Sequence, residues 1–154
     1  MATLKEQLKI DLTAAMKARN ESETSTLRMA LAAIMNAQVA GDAAIELTDA
    51  QTQDVLRAEA KKRLEAADIY KEAHRNQAEA AERAELAILE RYLPAAISDA
   101  ELQAIITEEV ATAAAQGMTG PKALGAVVKA VRAKAGAGAD GAKIASLVKS
   151  ALSV

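Results

Sequence analysis

"GAGADGAK", Gly136 to Lys143, is the stretch whose residue types come nearest to a ligand-binding signature. Its first six residues fit G-x-G-x-x-G, in which glycines let backbone N–H groups close on a pyrophosphate. That fingerprint needs a strand in front of it, and the residues before Gly136 carry a helical pattern. The same stretch misses a Walker A loop, because Ala142 stands where a lysine must directly follow the last glycine. What remains is a glycine connection with Asp140 as the cap of a following helix. Gly141 keeps one further use: a helix start that can be approached closely suits a phosphate, and an RNA backbone would supply one.

Catalysis finds little to stand on. The one histidine, His74, falls on the side of a long helical stretch that also carries Leu56, Ala67 and Tyr70, which reads as a core or boundary position. No nucleophile or orienting partner is apparent for it. The carboxylates recur at Glu–Lys and Glu–Arg helix spacings, their ordinary surface use. One histidine and no cysteine leave a transition-metal site without its usual ligands. The residues therefore predict no catalytic group, no cofactor and no metal.

Cations carry the stronger signal. From Gly117 onward Lys122, Lys129, Arg132, Lys134, Lys143 and Lys149 face Asp140 alone, a net of +5, while residues 1–116 sum to −7. Such a split suggests an anionic partner for the C-terminal part. Lys122 and Lys129 are seven apart, within ~20° of each other on one helix, with Arg132 three further on. Leu124, Val127, Val128 and Val131 must face the core, so this basic side faces out. Lys143 and Lys149 flank the Ile144, Leu147, Val148 stripe of the last helix and join the same surface if the two helices pack antiparallel. With Gly141 these six are the candidate RNA-binding residues. Both tyrosines lie earlier in the chain, so contacts would be phosphate-directed rather than base-stacking.

A second basic stripe, Arg57, Lys61, Lys71 and Arg75, is interrupted by Asp68 and has a solvated, ion-paired face as its ordinary reading. Arg63, near Tyr70, and Arg28, beside Met35 and Val39, border apolar arcs, where a guanidinium needs a carboxylate or must snorkel. Glu59 and Glu90 are the candidate partners. Arg28, Arg63, Tyr70, Tyr92 and Pro94 are read as structural.

The elements that position these residues are all helical. Hydrophobic residues make up 51% of the 154, yet Phe and Trp are absent and Ala dominates, so helices must pack closely rather than around large side chains. Capping boxes at Thr3/Glu6, Thr48/Gln51 and Ser98/Glu101 open three of the helices. Gly41 is expected to close the second and Gly117 the fifth, and Pro121 sits just inside the sixth. No alternating apolar run predicts a strand, and no internal repeat is expected. "YLP", Tyr92 to Pro94, ends one helix, and Ser98 with Glu101 starts another. A stop followed by an independent start predicts two all-α domains: a four-helix part at 1–93, a linker at 94–97 and a three-helix tail at 98–154. The charged opening "MATLKEQLKIDL" has no apolar signal core, nothing approaches the ~18 apolar residues of a membrane span, and no cysteine is present, so a cytoplasmic location and no membrane are expected.

"TLRM" (Thr26 to Met29), "LRAEAKKRLEAADIYKEAHR", "ELAILERYLP" (Glu85 to Pro94) and the C-terminal "ADG…LVKSAL" together resemble the YqeY-like family. That family is related to the C-terminal helical and tail domains of GatB, the B subunit of the tRNA-dependent amidotransferase. The resemblance implies a two-domain helical fold and a tRNA-facing appendage without the kinase and transamidation machinery, which lies elsewhere in that enzyme. A family label of carbon–nitrogen ligase activity with glutamine as amido-nitrogen donor would be inherited from that kinship. Two departures stand out: "AHRNQ" replaces the family's Ala-Gly-Arg before an acidic residue, and "GPKALGAVVKAVRAKAGAGADG" carries an early proline and a longer glycine link. Three functions follow: a non-catalytic tRNA-binding module, a helical protein–protein adaptor, or a non-catalytic component of an amidotransferase complex.

Overall fold

The computed structural model describes residues 1–136 and 139–154, whose regular elements are all helices, with no strand. The chain falls into two compact units, Met1–Leu93 and Pro94–Val154.

The first unit holds α1 (Leu4–Lys17), α2 (Glu21–Gln38), α3 (Asp49–Glu72) and α4 (Asn76–Glu90). Its core is Leu8, Leu27, Ile34, Leu56 and Leu89, with Ala15, Ala30 and Ala60 where helices approach each other. Each buried leucine contributes roughly 1.5–3 kcal/mol, and the alanines contribute closeness rather than area. Among the core side chains sits Arg63, only 6% exposed. Its Nη1 donates to Glu59 Oε2 at 2.7 Å and its Nε to Glu85 Oε2 at 3.3 Å. The second carboxylate is thus Glu85 rather than Glu90. Residues five apart stand about 140° apart on a helix, so only one of the two faces α3. Arg28, by contrast, is exposed and lies against the Met16 sulfur at 3.8 Å, the snorkelling alternative.

Both capping boxes expected in this unit form, at Thr3 and Thr48. The helix ends are less conventional. α1 closes with Asn20 N–H donating to the Ala15 carbonyl and Arg19 N–H to Met16, and α3 does the same from Arg75 to Tyr70 and His74 to Lys71. These are Schellman closures, which require a left-handed residue. Arg19 and His74 both take φ of 56° there. His74 is therefore not a core or boundary residue on the side of α3: the helix stops at Glu72, and the histidine is exposed in the turn. Gly41 does not close α2, which ends at Gln38 with Val39 as its cap.

After Glu90 the chain leaves helix and does not re-enter it until Asp99. Tyr92 remains with the first unit, its hydroxyl donating to Asp11 Oδ2 at 2.6 Å. The second unit holds α5 (Asp99–Ala115), a 3-10 turn (Gly120–Ala123), α6 (Leu124–Ala135) and α7 (Gly141–Leu152). Leu102, Ile106, Val127, Val131, Ile144 and Val148 are its core. Ser98 and Glu101 cap α5 reciprocally, and Gly117, at φ of 79°, ends it. No helix among the described residues is long and apolar enough to cross a membrane.

Candidate nucleic-acid interface

Ala123, the last residue of the 3-10 turn, and Val127 on α6 point into the core, which leaves Pro121 and Lys122 of the turn at the surface. Pro121 fits that turn because its fixed φ suits a helix start and its missing N–H costs nothing there. Lys122 lies in this turn, not on α6, so its expected ~20° offset from Lys129 does not apply. It is nonetheless exposed. Val127 and Val131 bury one side of α6, and Lys129, two residues from each, projects from the opposite side.

α6 and α7 run antiparallel. The end of α6 meets the start of α7, where the Arg132 guanidinium stands 2.5 Å from the point a Cβ on Gly141 would occupy. α7 also packs on the 3-10 turn that precedes α6. Arg132 therefore covers the N-terminus of α7. That terminus already has an anion, because Asp140 Oδ1 accepts from the Ala142 N–H at 3.3 Å. Ala137 and Gly138, in the middle of "GAGADG", lie outside the described residues.

Two of the expected cations are committed elsewhere. Lys134 is held by Glu109 at 2.7 Å and Glu108 at 3.1 Å, and these two hydrogen bonds raise its pKa above the ordinary lysine value. Lys143 pairs with Asp99 at the start of α5. It stands about 120° around α7 from Lys149, on the opposite flank of the buried stripe. Counting charge by packing unit rather than by stretch of chain changes the balance. Residues 94–154 carry the same six cations, but α5 brings Asp99, Glu101, Glu108 and Glu109, and the net falls to +1. The signal that would have shown this in the sequence was the α5 carboxylates, which a cut at Gly117 assigns to the other half.

Lys122, Lys129, Arg132 and Lys149 remain. All four are exposed, and among the described residues none has a carboxylate within ion-pair distance.

The secondary stripe on α3 is thinner than its spacing suggested. Arg57 is half-buried and bound to Asp54 at 2.7 Å. Arg75 lies beyond the helix end, with its guanidinium 5.2 Å from the centre of the Tyr70 ring, a cation–π contact. Only Lys61 and Lys71 stay exposed on the helix itself, and Asp68 between them pairs with Arg83 at 3.2 Å. No group of three His, Cys, Asp or Glu side chains that could hold a metal ion occurs among the described residues.

A family model described as Yqey-like protein matches residues 5–152, nearly the whole chain. The chain belongs to the YqeY-like family. No curated protein matches it. In this YqeY-like chain His74, within "AHRNQ", takes a left-handed position that a glycine would fill without steric cost.

Proposed function

We infer that the C-terminal unit of this chain is a phosphate-directed RNA-contacting module, with tRNA as its ligand, and that the chain performs no chemistry alone. The observation that supports this is the set of four exposed cations without ion-pair partners, Lys122, Lys129, Arg132 and Lys149, on the 3-10 turn, α6 and α7. Two neighbours of the same charge, Lys134 and Lys143, are paired with carboxylates within the unit, so the four are the cations it leaves open to a ligand. Kinship with the GatB tail, which the resemblance implies, supplies tRNA as the ligand class and relates the chain to glutamine-dependent amidotransferases as a non-catalytic accessory. Without aromatic side chains in this unit, recognition rests on backbone shape and charge.

The test is a charge-reversal set, Lys122→Glu, Lys129→Glu and Arg132→Glu, measured for tRNA binding with helicity followed in parallel. Stepwise loss of affinity is expected. Unchanged binding in a folded triple variant would overturn the reading and favour the protein–protein adaptor. Pure protein should show no ligase, amidotransferase or nucleotidase turnover. ATP hydrolysis that disappears in Lys143→Ala would contradict that.

A further inference from the structure

The first unit carries a surface for which the RNA reading has no use. α1 and α2 run antiparallel and are tied at both ends of their seam. Lys5 Nζ donates to Gln38 Oε1 at 2.6 Å, and Arg28 Nη2 lies 3.8 Å from Met16 Sδ. Along α1, Lys9 and Met16 are seven apart and share one side of the helix within ~20°; along α2, Arg28, Met35 and Val39 fall within ~40°. The two rows border the same seam on its solvent side. Met16, Met35 and Val39 are 50%, 60% and 63% exposed. Ile45, 52% exposed, extends the apolar row, because its N–H donates to the Gln38 carbonyl at 2.9 Å.

Single exposed apolar residues need no explanation, but a continuous row at helical spacing marks a contact surface. Its rim is cationic. Lys5, Lys9 and Arg28 have no carboxylate within ion-pair distance among the described residues. In this unit, whose sequence sums to −3, Arg57, Lys62, Arg63, Arg83 and Arg91 have a carboxylate partner, and these three are among the basic side chains that do not. Three acids lie close to the row in sequence or space: Glu46, 3.5 Å from Gln38 Nε2, Glu21 in the first turn of α2, and the exposed Asp42 between Val39 and Ile45.

We propose that the α1–α2 seam docks an acidic amphipathic helix of a partner protein. The row from Arg28 to Val39 is about 16 Å long, enough for three turns of helix. The partner's apolar stripe lies on Met16, Met35 and Val39, and its carboxylates reach Lys5, Lys9 and Arg28. Methionines suit this task because their unbranched, polarisable side chains re-pack around an incoming ridge. A second copy of this chain fits poorly, since a twofold contact through this face would set Lys5, Lys9 and Arg28 against their own equivalents. A nucleic acid would engage the cations but has no use for the Met–Val row.

The experiment places the photocrosslinker p-benzoylphenylalanine at Met35 of the full chain in cells, with Ile69, 64% exposed on α3, as the control position. The crosslinked segment is sequenced, made as a peptide and titrated against the full chain. The expected segment is an acidic amphipathic helix captured from Met35 and not from Ile69. Arg28→Glu and Met35→Ser should each weaken its binding tenfold or more, and Lys129→Glu should leave it unchanged. Capture no stronger than at Ile69 would overturn the proposal. So would capture of a second copy or of RNA, or a peptide whose affinity is indifferent to Arg28→Glu and Met35→Ser in folded variants. Apart from capture of RNA, none of these outcomes bears on the tRNA reading, which depends on the other unit.

Discussion

The Tyr92 hydroxyl ties the end of α4 to α1 through Asp11, and burial together with that hydrogen bond pushes its pKa well above the usual phenol value. Tyr92→Phe should cost about 1.5 kcal/mol, the worth of a hydrogen bond to a charged acceptor, seen as a lower denaturant midpoint. Because the folded pKa is the higher one, this contribution is complete below pH 10 and is lost as pH rises beyond it. Glu59 runs the other way. Burial pushes its carboxyl up, but hydrogen bonds from Lys62 and Arg63 outweigh that and hold it below its ordinary 4.5. Its contribution is present above pH 4.5 and disappears as acid protonates it, so acid unfolding should be less steep in Arg63→Met than in the parent chain. At His74 a side chain sits where glycine is at ease, and His74→Gly should raise stability by about 1 kcal/mol by thermal melting. The need of Arg63 for a carboxylate was legible in the sequence, because a guanidinium on an apolar arc admits few alternatives. The choice of Glu85 over Glu90 was not, since it depends on which side of α4 meets α3. The left-handed His74 was hidden for a related reason: periodicity continues past Glu72 even though the helix does not.

Elements that rest on local chemistry were the most readable. Thr3, Thr48 and Ser98 cap their helices with the partners three residues on that their spacing indicated, and Asp140 caps α7. Ser98→Ala should remove about 1 kcal/mol, read as faster hydrogen exchange across α5 to α7 with α1 to α4 unaffected. Pairings between elements were not readable. Lys134 and Lys143 look like free cations on a helical wheel, and only the packing of α5 against α6 and α7 puts Glu108, Glu109 and Asp99 beside them. For the same reason Lys122 seemed to continue the α6 row, while Pro121 and Gly120 draw it into a tighter turn.

At the scale of the whole molecule, the all-helical character followed from composition and period alone, and the family resemblance from short motifs in a set order. We propose that the two packing units are separable domains joined at 94–97. Residues 94–96 are exposed and lie between helices, so a protease of broad specificity should cut first near Ala95 to Ser98 and leave two helical fragments. First cleavage inside either fragment would argue against that division. The distribution of charge matters more for function: an acidic first unit, and a second unit near neutrality in which four cations stand free and two are tied. This makes the salt dependence of tRNA binding the most direct test. Four phosphate contacts predict that log affinity falls against log salt with a slope of about −3, each contact contributing roughly 0.7–0.9. Lys129→Gln or Lys149→Gln should reduce the steepness by about one, while Lys134→Gln and Lys143→Gln should leave it where it was. Equal losses from the tied and the free lysines, or binding that does not respond to salt, would contradict the account.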